Sequence, residues 1–361
     1  MMKTLYTLFA LLFVSTLSAQ TPSGIESAEY DPTGERWFVS CGSSTLLSTS
    51  DMGDSWDFFG SANASYGMEV MNGALFVIHS NKVYAYDLNT ADFLGMETIP
   101  GAGFLNGMGS DGNGTLIISD FSTGRILKID ASDPANMSSS TLVGNTGSSP
   151  NGIVVDVANG RAVVVNWGGN SDILAIDIES GAVTTIVNGS GLGNCDGIDM
   201  DSEGNYYISS WSPTRITKYN NDFTESEIVV SSGLSSPADI SFDETNNILG
   251  VANSGSDQVT FHYFSGANTQ NTNLHEDLEV ELNGNEFIFN LSLGDRFTFT
   301  AYSLDGKVLD VSSVSLPAGK NSVLLDRLPE GFSKAALVHI SRDSDAGNTS
   351  VKTFKMGLHQ L

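Results

Sequence analysis

Residues 194–211 read N-C-D-G-I-D-M-D-S-E-G-N-Y-Y-I-S-S-W: a polar start, a glycine, a short alternating strand, a tight turn and a second strand. The turn occupies 202–205, and the second strand, 206–211, carries aromatic and β-branched side chains. The same order of features recurs at 151–167 and at 106–120. The chain therefore repeats a strand–turn–strand unit.

Looser copies of this unit begin at Glu26, Tyr66 and Ala238. Aligned on the residue five positions before the turn, the six copies start at 26, 66, 106, 151, 196 and 238, in steps of 40 to 45 residues. Repeats of this length made of strands and turns are typical of propeller blades. The sequence therefore predicts an all-β fold with a six-bladed β-propeller at 21–264, whose sixth blade shows only three strands.

The regions outside the repeats have different compositions. Residues 1–20 have the form of a secretory signal peptide, with Lys3, an apolar run at 8–14 and a small-residue end at Ser18-Ala19-Gln20. A polar linker is expected at 265–273. Residues 274–361 contain six short predicted strands without the blade template, which indicates a small β-sandwich.

The net charge of −26 limits the range of partners, and most of it falls within the propeller segment. Nucleic acid and anionic membrane surfaces would be repelled, and no segment after the signal peptide is apolar enough to span a bilayer. A negative charge of this size can be explained by solubility alone. It does not by itself indicate a cation site, because a site needs ligand residues at specific positions. Cys41 and Cys195 fall in blades that are not neighbours, so no disulfide is expected.

The first strand of each blade lines the channel of a propeller, so the six leading residues can converge at one mouth. Four of them, Glu26, Asn106, Asn151 and Asp196, offer oxygen, which favours Ca²⁺, with Mg²⁺ and Mn²⁺ as alternatives, over structural zinc. Asn-Gly and Asp-Gly are also common turn dipeptides. Their shared template position nevertheless favours a metal site.

Two tryptophans end the second strands of blades 4 and 5 at the same predicted mouth. Trp167 and Trp211 are candidates for substrate binding, because a tryptophan ring can stack on a sugar. The alternative is that both rings only pack between blades.

The stretches G-I-E-S at 24–27, S-P-N-G-I at 149–153 and C-D-G-I-D-M-D-S-E-G-N at 195–205 resemble the senescence-marker-protein and gluconolactonase family, which includes regucalcin. The resemblance implies that Glu26, Asn151 and Asp196 bind one divalent cation. It also implies that Asp196 is the catalytic base and that Asn106 helps to hold the substrate or the metal. This chain departs from the family because Asn106 precedes glycine, where many members have aspartate, and because no substrate arginine precedes it. NHL-repeat and strictosidine-synthase-like propellers share the blade pattern.

The stretches Y-S-L-D-G-K-V at 302–308, L-P-A-G at 316–319 and L-P-E-G at 328–331 resemble the C-terminal sorting domain of the bacterial type IX secretion system. The resemblance implies that the type IX secretion machinery of a Gram-negative bacterium is a partner. The protein would then be secreted or attached to the outer-membrane surface. An adhesion-type or carbohydrate-binding sandwich is the alternative.

Together these features predict an exported, divalent-metal-dependent hydrolase of lactones or related esters. The cation would polarise the carbonyl group, and Asp196 would take a proton from water. The alternative function is a non-catalytic extracellular propeller, stabilised by a cation, that binds a sugar or a protein.

Overall fold

The computed structural model describes residues 20–42, 45–264, 280–283, 286–291, 295–302, 307–316, 319–324, 328, 330, 337–343 and 351–355. The chain divides into two compact units, Met1–Gly266 and Ala267–Leu361. The predicted linker 265–273 lies outside the described residues, as does the predicted signal peptide except for Gln20.

The first unit is a six-bladed β-propeller, which confirms the predicted fold. Each blade is an antiparallel sheet of consecutive strands. Blade 1 consists of β1 (Ile25–Asp31), β2 (Arg36–Cys41), β3 (Leu46–Thr49) and β4 (Asp57–Phe58). Blade 2 consists of β5 (Met68–Met71), β6 (Ala74–His79), β7 (Lys82–Asp87) and β8 (Phe93–Thr98). Blade 3 consists of β9 (Leu105–Ser110), β10 (Thr115–Asp120), β11 (Arg125–Asp130) and β12 (Ser138–Val143). Blade 4 consists of β13 (Ser149–Asp156), β14 (Arg161–Trp167), β15 (Ile173–Asp177) and β16 (Val183–Val187). Blade 5 consists of β17 (Gly193–Met200), β18 (Tyr206–Ser212), β19 (Thr214–Tyr219) and β20 (Ser226–Val230). Blade 6 consists of β21 (Pro237–Asp243), β22 (Ile248–Asn253) and β23 (Gln258–Tyr263).

Buried aspartates close several of the hairpins within the blades. Asp31 at the end of β1 accepts hydrogen bonds from the turn N–H groups of Thr33 and Gly34 and pairs with Arg36 at 2.9 Å. The same pairing joins Asp156 to Arg161 at 2.9 Å, across the turn that contains the short 3₁₀ helix Val157–Asn159. A buried carboxylate is stable when it is paired and hydrogen-bonded, so these aspartates are structural rather than catalytic.

Apolar side chains from neighbouring blades pack together at every seam of the ring. At the seam between blades 4 and 5, for example, Val163 and Val165 pack with Cys195, Ile198 and Tyr206. Equivalent clusters lie between each other pair of adjacent blades. The faces of the sheets are thus stacked around the channel, which is how a propeller buries its core.

The ring closes between blade 6 and blade 1 by packing and side-chain hydrogen bonds. Ser27 Oγ donates to Asp239 Oδ2 at 2.9 Å, and Tyr30 N–H donates to Ser241 Oγ at 3.2 Å. Trp37 lies against Gly250 and meets the Phe261 ring edge-to-face, with 5.2 Å between centroids. Blade 6 has three strands among the described residues, as predicted.

The second unit contains two antiparallel sheets with a common apolar core. One sheet contains, in spatial order, β24 (Val280–Asn283), β25 (Glu286–Leu291) and β28 (Gly319–Leu324). The other contains β27 (Val308–Leu316), β26 (Asp295–Tyr302), β29 (Leu337–Asp343) and β30 (Val351–Lys355). Phe287, Phe289 and Val323 of the first sheet pack with Phe297 and Phe299 of the second, as in the predicted β-sandwich. The strand β30 was not predicted from the sequence.

Helices long and apolar enough to cross a bilayer are absent from the described part of both units.

Candidate functional site

The leading residue of most inner strands lies at a bulge. The register between the first and second strands shifts between Ile25 and Ser27 in blade 1, and between Cys195 and Ile198 in blade 5. Blades 3, 4 and 6 carry a shift at the same template position. A bulge releases residues from the ladder and re-aims their side chains. The backbone therefore presents Glu26, Asn151 and Asp196 in the same way from three blades.

Glycine follows the leading residue wherever two inner strands approach most closely. A Cβ on Gly107 would lie closer than 3.0 Å to the backbone of Asn151, and one on Gly152 equally close to the backbone of Asp196. Gly67 and Gly197 are similarly confined by blades 3 and 6. These dipeptides are thus inter-blade contacts and not chain reversals, which removes the turn interpretation of Asn-Gly and Asp-Gly.

Serines of the second strands hold these contacts in place. Ser209 Oγ accepts a hydrogen bond from Gly197 N–H at 2.7 Å and donates to Ala238 O of the next blade at 2.7 Å. Ser119 Oγ connects Gly107 N–H to Asn151 O in the same manner, at 2.8 and 2.6 Å. These bonds fix the carbonyl groups of Asn151 and Ala238 against the inner strand of the preceding blade.

The structure brings Asn151 and Asp196 into direct contact in a nearly dry environment. Asn151 is 2% exposed and Asp196 7% exposed. Asn151 Nδ2 donates to Asp196 Oδ1 at 3.0 Å and to Cys195 O at 3.2 Å. Both bonds use the amide nitrogen. Asn151 Oδ1 receives no hydrogen bond from any described residue. A buried amide oxygen without a donor is a suitable cation ligand.

The carboxyl groups in this part of the channel carry raised pKa values. Burial, together with the charges of Glu26 and Asp239, holds the pKa of Asp196 well above its usual range, although Asn151 and the indole N–H of Trp211 act in the opposite direction. Burial raises the pKa of Glu26 to about 7, and burial together with the charge of Glu26 raises that of Asp239 to about 7. Among the described residues, none of these three carboxyl groups forms an ion pair with a basic side chain. The ionised cluster therefore lacks a counter-charge, which a cation would supply.

The side chains of this cluster offer an amide oxygen as well as carboxylate oxygens to a cation. Within the described ranges, no group of three or more His, Cys, Asp or Glu side chains is arranged to hold a metal ion. A site here would combine the carboxylates of Glu26 and Asp196 with the amide oxygen of Asn151. Such mixed oxygen ligands suit Ca²⁺.

The other predicted residues lie around this cluster. Asn106 is half-buried, and its carbonyl oxygen accepts a hydrogen bond from Gly67 N–H at 2.9 Å. Trp167 and Trp211 are in edge-to-face contact, with 5.0 Å between centroids, and Trp211 Nε1 donates to Pro237 O at 3.1 Å. Sequence reasoning missed Asp239, which occupies the position that is glycine in blades 2 to 5.

A second acidic ring, also missed, lies three residues further along the inner strands. Glu29, Glu69 and Asp199 line a cavity of about 280 Å³. Glu29 Oε1 accepts from Val70 N–H of the next blade at 3.0 Å, and Asp199 Oδ2 accepts from Phe242 N–H at 2.6 Å. These carboxylates thus satisfy backbone N–H groups at the channel edge of neighbouring blades. Counting three residues on from each leading residue would have identified them.

Cys41 and Cys195 are both buried and free. They belong to different apolar clusters, one at the seam between blades 6 and 1 and the other at the seam between blades 4 and 5.

Comparisons with known proteins identify the fold. No family model and no curated protein matches the sequence. Among solved structures, a protein of unknown function from Bacteroides thetaiotaomicron matches with a TM-score of 0.55 at 10% identity, over 68% of this chain and 71% of that one. Regucalcin from Agrobacterium tumefaciens, described as a calcium-binding protein, matches with a TM-score of 0.51 at 14% identity, over 64% and 83%. A streptogramin B lyase matches with a TM-score of 0.50 at 14% identity, over 69% and 85%. At these identities the likeness shows a shared propeller fold.

Proposed function

We propose that the propeller is a divalent-cation-dependent hydrolase of lactones or related esters. The observation that carries this proposal is the buried contact between Asn151 and Asp196, beside Glu26 and without a basic counter-charge. A carboxylate kept dry and close to other acids is typical of functional sites. The shared fold with a regucalcin that is described as calcium-binding supports the cation part of this proposal.

Glu26, Asn151 and Asp196 would hold the cation, with Asn106 at the edge of the set. A bound Ca²⁺, or Mg²⁺ or Mn²⁺, would polarise the substrate carbonyl and acidify a water molecule. Asp196 would be the base that accepts the proton of the attacking water. Asn151 would orient Asp196 through the 3.0 Å hydrogen bond to Oδ1.

Calcium titration and a substrate panel test this function. The full chain, freed of metal with a chelator, is titrated with Ca²⁺ by calorimetry and then assayed on neutral lactones and aryl esters. We expect one Ca²⁺ per chain and Ca²⁺-dependent hydrolysis. Asp196→Asn should lower kcat/KM at least about a hundredfold, since a base and a charged ligand are both lost. Asp57→Asn, a change at an exposed residue of the outermost strand of blade 1, is the control.

Two results would contradict the proposed mechanism: hydrolysis that survives the chelator, or hydrolysis that survives Asp196→Asn. One equivalent of bound Ca²⁺ without activity on any substrate would favour the alternative, a non-catalytic cation-stabilised propeller.

For the second unit, we propose a role in export by the type IX secretion machinery. Its support is the small two-sheet sandwich and the turn sequences between 302 and 331. A chain ending at Gly266, expressed in its native host, should accumulate in the periplasm, whereas the full chain reaches the cell surface or the medium. Cell fractionation with an antibody to the propeller distinguishes the two outcomes, and normal delivery of the shortened chain would refute the role.

A further inference from the structure

Five aromatic side chains form a continuous row across blades 2 to 5. Tyr66 meets Phe104 at a centroid distance of 4.8 Å, and Phe104 meets Phe121 at 5.6 Å. Phe121 meets Trp167 at 6.2 Å, and Trp167 meets Trp211 at 5.0 Å. All four contacts are edge-to-face. We call these five side chains the aromatic arc.

The two ends of the aromatic arc adjoin the polar cluster. The charge of Glu26 raises the pKa of Tyr66, after the larger effect of burial. Trp211 at the other end donates its indole N–H to Pro237 O at 3.1 Å, and the same N–H acts to lower the pKa of Asp196. The aromatic arc thus runs from the neighbour of one carboxylate to the neighbour of the other, on the same side of the propeller as the leading residues.

Buried polar bonds fix the middle of the aromatic arc. Asp120 is fully buried and accepts from the N–H groups of Gly103 and Phe104 while pairing with Arg125 at 2.8 Å. Phe121 N–H then donates to Phe104 O at 2.8 Å. The backbone that carries Phe104 and Phe121 is therefore fixed before any ligand arrives, which lowers the entropic cost of binding.

The aromatic arc differs in exposure from the aromatic residues of the core. Trp37, Tyr206 and Tyr207 are at most 2% exposed, whereas all five residues of the arc remain partly exposed. A contiguous, partly exposed apolar surface beside convergent polar groups is typical of a ligand site.

Electrostatics narrows the class of ligand. Glu26, Asp196 and Asp239 place three carboxyl groups beside the aromatic arc, and Arg125, four residues after Phe121, is paired with Asp120. Without a bound cation, the ionised forms of these carboxyl groups would repel a carboxylate or phosphate on the ligand. A neutral ligand carrying a flat apolar ring meets no such penalty and gains edge-to-face contacts.

We propose that the aromatic arc is the subsite for an aromatic ring on a neutral ester or lactone, an inference that rests on the proposed function and names its substrate class. The ring lies against the arc, and the ester group lies over Asn151 and Asp196. Phe104 and Phe121 determine specificity and take no part in the proton transfer.

Three small probes that the enzyme cannot hydrolyse as esters test the subsite by ligand-observed NMR titration of the full chain. They are acetanilide, which is neutral and aromatic; 4-acetamidobenzoate, which adds a carboxylate to the same ring; and methyl β-D-glucopyranoside. In the metal-free chain we expect acetanilide to bind tightest and the carboxylate at least about tenfold more weakly. A glucoside that binds more tightly than acetanilide overturns the assignment.

Variants locate the binding. Phe104→Leu and Phe121→Leu keep apolar volume but remove a ring, and each should weaken acetanilide binding about two- to tenfold. Phe93→Leu is the matched control, because Phe93 is 58% exposed on β8 and contacts only Tyr84 and Tyr86 among the described rings. Equal losses in Phe93→Leu and in the arc variants, or no loss in the arc variants, would overturn the subsite.

The outcome can be separated from that of the proposed function. Asp196→Asn should still bind acetanilide, because the aromatic arc is unchanged. If wild type binds acetanilide but hydrolyses nothing, the hydrolase proposal fails and the subsite stands. If it hydrolyses γ-butyrolactone with Ca²⁺ but does not bind acetanilide, the subsite fails and the hydrolase stands.

Discussion

Asp196 is subject to two opposing influences. Burial and the charges of Glu26 and Asp239 favour its neutral form, while hydrogen bonds from Asn151 and Trp211 favour the carboxylate. A base must be ionised to accept a proton, so the residue is competent only when the balance moves toward the carboxylate. A cation among these oxygens would move it in that direction.

Calcium affinity should therefore depend on pH. Because the pKa of Glu26 is raised to about 7, protons compete with the cation below neutrality. We expect the affinity to fall up to about tenfold per pH unit for each titrating ligand between pH 7 and 5. Calorimetry at pH 5, 6, 7 and 8 measures this, and Glu26→Gln should flatten the dependence. A pH-independent affinity in wild type would exclude Glu26 as a ligand.

The stability of the metal-free protein should fall as the pH rises toward neutrality. The pKa values of Glu26, Asp199 and Asp239 are each raised to about 7, so the folded state binds protons that the unfolded state has released. Their contribution is complete below their unfolded pKa values and is lost as the pH passes 7. Each group can lower the free energy of unfolding by up to about 1.4 kcal/mol per pH unit.

Thermal unfolding in chelator at pH 5.5 and pH 8 tests the sign. Aspartates with lowered pKa values, such as Asp120 and Asp156, act in the opposite direction, but only near or below pH 4, so they do not mask the effect. Asp239→Asn should reduce the difference between the two Tm values. A higher Tm at pH 8 than at pH 5.5 would contradict the prediction.

Sequence alignment of the repeats was sufficient to identify some of these residues. Glu26, Asn151 and Asp196 share one template position, so a periodic search finds them. The periodic search did not find Asp239, because the leading residue of blade 6 is Ala238 and the carboxylate follows one residue later. The search also did not find Phe104 and Phe121, because they lie just outside the strands, where the sequences of the repeats diverge.

At the scale of the strand, the inner strands approach so closely that some positions cannot carry a side chain. Periodicity predicted the strands themselves, because alternation and turn residues are local properties. The reason for the glycines was not visible, since the atoms that confine them belong to the neighbouring blade. Gly152, for instance, is 44 residues before Asp196, the residue whose carbonyl excludes a Cβ.

Gly152→Ala should therefore destabilise the propeller by about 1–3 kcal/mol, because the added methyl group forces the inner strands of blades 4 and 5 apart. It should also lower Ca²⁺ affinity, since that shift separates Asn151 from Asp196. Gly144→Ala is the control, because a Cβ there meets nothing within 4 Å. Urea unfolding and calorimetry measure the two effects. Equal stability of the two variants would show that the strands can relax freely.

For the whole molecule, the number of blades followed from the repeat, whereas the closure of the ring did not. Closure depends on contacts between residues more than 200 positions apart, such as Ser27 and Asp239. No local pattern encodes such a pair. The small size of Gly250, which admits the Trp37 ring, is likewise meaningful only once blades 6 and 1 are adjacent.

Gly250→Ala should open this seam selectively, because its Cβ would collide with the Trp37 ring. Cys41 lies in the apolar cluster of this seam, and Cys195 lies in a different one, so the second thiol is an internal control. We expect faster alkylation of Cys41 but not of Cys195, measured by mass spectrometry of the two peptides. Adding Trp37→Leu should restore the slow rate, and equal acceleration of both thiols would indicate general unfolding instead.

The recurrent bulge has a consequence for how such a ring diversifies. Because the leading residue lies off the ladder in blades 1, 3, 4, 5 and 6, its side chain can be exchanged there without disturbing the strand pairing beneath it. The five residues concerned are Glu26, Asn106, Asn151, Asp196 and Ala238. A substitution at one of them can change the chemistry of the channel mouth while the blades persist, so one backbone can support unrelated activities.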